Sequence, residues 1–294
     1  MNHISKRFLS AVGVTFLGTL LLDPISHGKP IQGQDKDDQC TVASLHGSYG
    51  YFLSGPEIGL GPVAAVGIMT LDGAGGLSAR DTVSNNGVID RRNGPGAYTL
   101  NSNCTGSISV NGDFLGFSAD FMVVPESHGS EFTFIVRNNF TNQAGEAKRV
   151  ARQDGVGDEG CTQADLQGTY RVQGAGINLA KGLITAVGYR VLDGKGHLTL
   201  AEDTLSTAGV ITHRLGRTAD YTVESSCAVT EVFADGLTFD GVVVAGGREA
   251  FFIRTNPGTV ITAIYKKYGE HHSHEESVRS APSTELKSIS PNGG

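Results

Sequence analysis

The segment Cys40-Thr-Val-Ala-Ser-Leu-His-Gly-Ser-Tyr49 returns 121 residues later as Cys161-Thr-Gln-Ala-Asp-Leu-Gln-Gly-Thr-Tyr170, with six identities in ten positions. Agreement of this kind at a fixed offset indicates an internal duplication. Further matches follow at offsets of 121 to 123: Ala65-Val66-Gly67 with Ala186-Val187-Gly188, Leu71-Asp72-Gly73 with Leu192-Asp193-Gly194, and Tyr98 with Tyr221. The pattern predicts two homologous domains, 40–151 and 161–268, joined by a linker at 152–160.

The composition indicates a folded, turn-rich protein. Glycine supplies 41 of 294 residues, and hydrophobic residues reach 39%, too many for a wholly disordered chain. The formal net charge of −7 gives no basic footprint for nucleic acid and disfavours attraction to an anionic membrane surface. We therefore expect neither nucleic acid nor membrane among the partners of the mature chain.

Within each copy, short runs alternate apolar with polar or small residues, which is the period of a β-strand. Tyr49, Tyr51 and Leu53 share one face of the first run, and dipeptides such as Asp72-Gly73 suit tight hairpin turns. In the first copy the pattern predicts strands near 47–54, 62–72, 76–84, 87–91, 96–101, 104–111, 115–124 and 130–138, with 145–151 as a further candidate.

The predicted fold is all-β: two tandem antiparallel meander β-barrels of about eight strands each. Sequential strands joined by short hairpins remove their exposed edges by closing into a barrel. A flattened sandwich is the alternative architecture. An eight-stranded barrel is either filled by side chains or holds one small ligand, so the geometry admits binding without requiring it.

The four cysteines follow the repeat, with one near the start and one in the middle of each copy. Of the three possible pairings, Cys40 with Cys104 and Cys161 with Cys227 keeps each bridge inside one copy. The close spacings of a C-x-x-C metal or redox site are absent from the sequence, so structural disulfides are expected.

The two ends of the chain predict export and a polar tail. Lys6 and Arg7 precede an uncharged, mostly apolar run from Phe8 to Leu22, the pattern of a signal peptide, here placed at 1–28 with a linker at 29–39. The predicted location is secreted or periplasmic. Residues 269–294 are polar and lack an apolar period, which predicts disorder. The histidines of this tail are interpreted as adventitious metal binders, so no metal site is predicted.

The chain also resembles a known group of proteins. The run Gly-Ser/Thr-Tyr, the motifs Ala-Val-Gly and Leu-Asp-Gly-x-Gly, a Tyr-Thr segment leading into Cys and a late Phe-Ile-Arg are similar to uncharacterised exported bacterial proteins. Those proteins resemble allene-oxide-cyclase-like and dirigent-like barrels of the calycin type. The resemblance implies a barrel that binds or cyclises small apolar molecules. It carries no catalytic residue over to this chain, because its motifs are turn glycines and core positions.

Two sets of side chains are candidates for a site. The tyrosines could line a ligand cavity or fill the core: Tyr49, Tyr51, Tyr98, Tyr170 and Tyr221. The recurring strand carboxylates Asp81 and Asp203 would be acids or bases if they pointed inward, but the outward, solubilising orientation is the favoured prediction. Asp72 and Asp193 are assigned to turn chemistry.

Three functions remain open. The leading hypothesis is a non-enzymatic exported protein whose barrels bind a small apolar or amphipathic ligand. The second is a cyclase or isomerase that templates a small apolar substrate in a barrel cavity. The third is a surface or matrix interaction protein with solid-cored barrels. No cofactor is expected under any of them.

Overall fold

The computed structural model describes residues 40–150 and 160–268. The predicted signal peptide, both linkers except Gly160, and the polar tail lie outside the described residues. The described part contains sixteen β-strands. They are β1 (His46–Glu57), β2 (Gly61–Asp72), β3 (Gly76–Asn85), β4 (Val88–Leu100), β5 (Thr105–Val110), β6 (Phe117–Val123), β7 (Glu131–Val136), β8 (Ala144–Arg149), β9 (Gln167–Asn178), β10 (Gly182–Asp193), β11 (His197–Thr207), β12 (Val210–Val223), β13 (Ala228–Phe233), β14 (Thr238–Val244), β15 (Glu249–Arg254) and β16 (Thr259–Lys267).

The strands form two closed antiparallel barrels, which confirms the predicted fold class. Each strand pairs with its neighbour in sequence, and the barrels close through β1 with β8 and through β9 with β16. We call them barrel 1 (β1–β8) and barrel 2 (β9–β16). This is the up-and-down topology of a closed eight-stranded barrel, which leaves no open sheet edge.

One strand boundary was predicted wrongly. The runs near 87–91 and 96–101 are a single strand, β4, and the further candidate at 145–151 supplies the eighth strand. Asn93-Gly94-Pro95-Gly96 has turn composition, but here its glycines serve close packing. A Cβ on Gly94 would lie 2.0 Å from the carbonyl oxygen of Asn111, so the loop after β5 requires glycine at that position.

One end of each barrel is capped. A short 3-10 turn precedes the first strand, at Val42–Ser44 and Gln163–Leu166, and the fully buried Leu45 and Leu166 plug the barrel ends. Both predicted disulfides are present, Cys40 to Cys104 and Cys161 to Cys227. Each one ties the capping segment to the turn before the fifth strand of its barrel.

The barrels pack through outer sheet faces. Phe52 of barrel 1 meets Phe251 of barrel 2 with ring centroids 4.9 Å apart. Gly50 makes this approach possible, because a Cβ there would lie 2.4 Å from a methyl group of Val244. The surrounding interface is apolar on both sides and is formed by Ala64, Val66, Ile68, Val242 and Ile253.

Two observations bear on location. Paired disulfides are typical of proteins that mature outside the reducing cytosol, and the two in this chain indicate an extracytoplasmic protein. Among the described residues, we find no helix with the length and apolar character needed to cross a bilayer.

Candidate functional site

The five predicted tyrosines lie in the barrel interiors and are buried, with at most 4% of their surface exposed. Four of them donate hydrogen bonds to backbone carbonyls at the capped ends. Tyr49 donates to Gly129 and Tyr170 to Gly247, each at 2.6 Å. In the same way Tyr98 and Tyr221 donate to the residues that plug the ends, Leu45 and Leu166.

Tyr51 is the exception among these tyrosines, since its hydroxyl donates to the side chain of Asp81 at 2.9 Å. Burial raises the pKa of Tyr51 well above its usual value. The five tyrosines thus hold the caps and the interior in place in this structure. A contact between them and a ligand stays a prediction.

The interior of barrel 1 is packed solid. The enclosed void between Tyr51, Met69 and Phe134 measures about 10 Å³, which is the space of a single water molecule. Its buried charge is locally compensated: Arg92 Nε and Nη2 donate to the two oxygens of Asp81 at 3.0 and 2.6 Å. A further cation, Arg149, lies on the interior face at the capped end, where its Nη2 donates to the Tyr49 hydroxyl at 3.0 Å.

The outward orientation predicted for Asp81 and Asp203 is wrong. Both are buried and point into their barrels, with 6% and 5% of their surface exposed. They follow the parity of their strands: in β3, Leu77, Ala79 and Val83 are buried on the face that carries Asp81. Charge-assisted hydrogen bonds compensate a carboxylate on an apolar strand face, and both aspartates accept them: Asp81 from one arginine and Asp203 from three.

Barrel 2 contains a larger interior charge cluster. Asp203 accepts hydrogen bonds from Arg214 Nε at 2.6 Å, Arg190 Nη2 at 3.1 Å and Arg217 Nη1 at 3.3 Å. Arg217 also reaches Asp235 at the barrel end, through Nε at 2.9 Å. Its guanidinium lies 4.2 Å from the centre of the Phe233 ring, which holds it flat against the wall.

Arg254 adds a fourth cation to this interior. Its Nε donates to the amide oxygen of Asn256 at 3.0 Å, so its own hydrogen bond goes to a neutral group. Burial lowers the pKa of Arg254, and the charges of Arg214 and Arg217 lower it further, while the charge of Asp235 opposes them. Positive charge is therefore in excess at this end of barrel 2, and an anion would relieve it.

A second carboxylate lies deeper in barrel 2. Glu231 is 1% exposed, its Oε2 accepts a hydrogen bond from the Tyr265 hydroxyl at 2.9 Å, and its Oε1 has no partner among the described residues. Burial raises the pKa of Glu231 to about 7, although Arg190, Tyr265 and Arg217 favour its ionised form. The carboxyl group is thus poised between two protonation states near neutrality.

Barrel 1 lacks this chemistry at the equivalent positions, as strand register shows. In barrel 2 Arg190 pairs with Tyr170, and the corresponding pair in barrel 1 is Met69 with Tyr49. In the same way Glu231 pairs with Tyr221 in barrel 2, and the corresponding pair in barrel 1 is Ile108 with Tyr98. By the same register, three further interior residues of barrel 2 correspond to apolar or small ones: Arg217 to Gly94, Arg254 to Val136, and Tyr265 to Ala147. Only the pair Asp203 and Arg214 has its counterpart, in Asp81 and Arg92.

The uncapped end of barrel 2, which we call its open end, has smaller side chains than the uncapped end of barrel 1. Leu53, which is 2% exposed, covers the fully buried Ala65 in barrel 1. Barrel 2 has Gly174 in place of Leu53, and the equivalent alanine, Ala186, is partly exposed. The interior side chains Leu205 and Ala263 are partly exposed as well. Ala186 and Leu205 are therefore less covered than Ala65 and Val83 in barrel 1, while Ile184 and Ile261 at the same end are buried.

A cleft of about 330 Å³ between the barrels is a weaker candidate. Its charges pair across it: Arg91 binds Asp240 at 2.8 Å, and Arg80 binds Glu224 at 3.4 Å. Thr82 also donates to Asp240 at 2.8 Å. Because these groups satisfy one another, the cleft joins the barrels and has no excess charge for a ligand.

The turn assignment of Asp72 and Asp193 is confirmed. Asp72 accepts from the backbone N–H groups of Ala74 and Gly76, and Asp193 accepts from those of Lys195 and His197. These backbone hydrogen bonds lower the pKa of both carboxyls. Within the described residues, no group of three or more His, Cys, Asp or Glu side chains could hold a metal ion.

Comparisons with known proteins give no family. No protein-family model matches the chain, and no curated protein matches it. Among solved structures, the chain is similar to kievitone hydratase from Nectria haematococca, with 8% identity, a TM-score of 0.28, and 79% of this chain and 92% of that one covered. It is also similar to a putative AttH from Nitrosomonas europaea (10%, TM-score 0.26, 84% and 100%) and to a DUF3598-family protein of unknown function from Nostoc punctiforme (12%, 0.24, 78% and 100%). At these values the likeness says nothing about ligand or activity.

Proposed function

We propose that this is a secreted or periplasmic protein that binds one small amphipathic ligand in barrel 2, through an acidic head group placed among the interior arginines. The observation that carries the proposal is the difference between the two interiors. Barrel 2 has Arg190, Arg217 and Arg254 where barrel 1 has Met69, Gly94 and Val136. Because barrel 1 folds without cations at these three positions, and because burying charge costs free energy, the fold itself does not require them.

The chemistry of the ligand follows from the two parts of the site. A guanidinium group presents a planar fork of N–H donors that matches a carboxylate, a sulfate or a phosphate. Arg254 and the partly exposed Arg214 lie nearest the open end. Ala186, Leu205 and Ala263 line the same end and would contact the apolar portion of the ligand. Barrel 1, with its solid core, serves in this proposal as the packing partner of barrel 2.

A fluorescent acid tests the proposal. We expect 11-(dansylamino)undecanoic acid to bind at one site per chain, and the corresponding alcohol to bind at least about tenfold more weakly because it lacks the charge. Arg254→Met and Arg214→Met should each weaken binding of the acid by about tenfold. Arg171→Met is the matched control, because Arg171 is exposed on the outer face of β9. Equal affinity for the acid in all three variants and the parent would refute the proposal.

The cyclase or isomerase alternative has one observation in its favour, the buried Glu231 beside Tyr265. A carboxyl with a pKa near 7 can accept and return a proton at neutral pH. If barrel 2 catalysed proton shifts, a ligand recovered from the protein would gain deuterium at carbon on incubation with it in D2O. The Glu231→Gln variant would lose this exchange. If the parent protein showed no exchange, catalysis of proton shifts would be excluded and ligand binding would remain.

A further inference from the structure

Glu231 stands apart from the other ionisable groups of barrel 2, because its position is occupied by Ile108 in barrel 1 and the fold does not need a carboxylate there. The groups that face it come from the strands around it: Arg190 from β10, Arg217 from β12 and Tyr265 from β16. The other interior charges are Asp203 of β11, Arg214 of β12 and Arg254 of β15, with Asp235 at the barrel end.

The arginines near Glu231 direct their hydrogen bonds elsewhere. Arg190 and Arg217 both donate to Asp203, and Arg217 also donates to Asp235. Arg190 Nε and Glu231 Oε1 are both buried and lack a partner among the described residues. A fully enclosed carboxyl without a direct ion pair is held in its neutral form more readily than an exposed one. Asp203, with three arginine donors, is the direct hydrogen-bond partner of these arginines instead.

We propose that barrel 2 takes up its acidic ligand together with a proton on Glu231, so that ligand affinity falls as the pH rises. This proposal rests on the proposed function. When Glu231 is neutral, the arginines are less compensated and attract the acid head group. When Glu231 is ionised, its charge repels that head group across the interior. Linkage is reciprocal, so a bound anion holds the proton on Glu231 more firmly.

The expected magnitude is an affinity change of about tenfold for the acid between pH 6 and pH 9. At pH 7.5 binding should take up about half a proton or more, because the free and liganded forms then differ in the protonation of Glu231. The probe is 11-(dansylamino)undecanoic acid. Calorimetry in Hepes and Tris, which differ in ionisation enthalpy, gives the number of protons taken up.

Two variants isolate Glu231. Glu231→Gln and Glu231→Ile, the second carrying the barrel 1 residue, should bind the probe with no proton uptake and with the affinity that the parent shows at pH 6. Glu126→Gln is the control, since Glu126 is exposed on barrel 1 and its loss should change nothing. Thermal melts identify a variant that fails to fold, in which case the other one decides.

The outcomes separate the two proposals. Binding that depends on Arg214 and Arg254 but shows no proton uptake and no pH dependence overturns the role of Glu231 and leaves the proposed function intact. Proton uptake that persists in both Glu231 variants overturns it as well. A parent protein that does not bind the acid at any pH removes the proposed function, and the proton coupling with it.

Discussion

Glu231 shows how one residue changes what a barrel interior can do. In barrel 1 the equivalent Ile108 packs among apolar neighbours, while in barrel 2 the carboxyl group meets Tyr265 and lies near Arg190. Tyr265 itself replaces Ala147, and the smaller Val172 and Ala250 replace Tyr51 and Phe132 around it. The exchange of sizes moves the phenol from the first strand of the barrel to the eighth strand, which pairs directly with it.

The pKa of Glu231 predicts how stability changes with pH. Its folded value of about 7 exceeds the ordinary value of 4.5, so the native state keeps a proton that the unfolded state has lost. The free energy of unfolding should therefore fall as the pH rises from about 4.5 to 7, by about 3 kcal/mol. Urea titrations at several pH values, compared with Glu231→Gln, measure this contribution. A constant difference between parent and variant from pH 5 to pH 8 would contradict it.

The sequence contains information on side-chain orientation that the general rule for charged residues in strands does not use. Asp81 and Asp203 were expected to face solvent because charged residues in strands usually do, although the parity of Leu77, Ala79 and Val83 placed Asp81 on the buried face. The repeat pattern does not predict Arg190, Glu231 and Arg254 as site residues, because they do not recur between the copies. Comparing the copies position by position would have marked them, since each replaces an apolar residue.

Elements differ between the barrels through small changes in register. In β12, Arg214 pairs with Asp203 and Arg217 pairs with Ala201, so the two arginines lie three positions apart. In β4 the corresponding residues, Arg92 and Gly94, lie two positions apart. A bulge of this kind rotates the side chains that follow it. It directs Arg217 into barrel 2 at the place where barrel 1 has no side chain at all.

Gly174 of β9 lies near the uncapped end of barrel 2, at the position that Leu53 occupies in barrel 1. A Cβ on Gly174 would lie 3.3 Å from Thr262 O and 3.5 Å from Ala263 Cβ, so a side chain fits with small shifts. We expect Gly174→Leu, which installs the barrel 1 residue, to cover Ala186 and to reduce binding of the fluorescent acid by tenfold or about that, with every arginine kept. Displacement titrations measure this. Unchanged affinity in a folded variant would show that the ligand does not enter at this end.

Strand number was predictable because two-residue alternation marks the strands and hairpin dipeptides mark the turns between them. The prediction failed at β4, which was divided into two strands. Its Asn93-Gly94-Pro95-Gly96 segment has the composition of a turn. The glycine is there because a loop from elsewhere in the barrel passes close to the strand. Such contacts depend on tertiary structure, which local sequence patterns do not contain.

The whole molecule is a duplicated unit whose copies have taken different roles. Barrel 1 presents Gly50, Phe52 and Ala64 as a docking face, and barrel 2 has Arg171, Gln173 and Thr185 at the same positions. At these three positions barrel 2 exposes polar side chains to solvent. The duplication itself was visible in the sequence, but the division between a solid barrel and an arginine-lined barrel required the interiors to be compared.

Both disulfides should stabilise this architecture to a similar degree. They close loops of 64 and 66 residues, for which the chain-entropy model gives about 4 kcal/mol each. We expect the double variants Cys40→Ser with Cys104→Ser, and Cys161→Ser with Cys227→Ser, to lower the free energy of unfolding by amounts of this order. Urea unfolding of each variant measures the loss. A loss below about 1 kcal/mol in either one would show that capping contacts alone hold that barrel end.

If barrel 2 carries a small acidic ligand, native mass spectrometry of the protein recovered from its producing host should detect it. We expect one small acid per chain, released by solvent extraction and absent from a variant that combines Arg214→Met with Arg254→Met. Bare parent protein that also fails to bind the fluorescent acid would contradict the claim, and would favour a solid-cored interaction module instead.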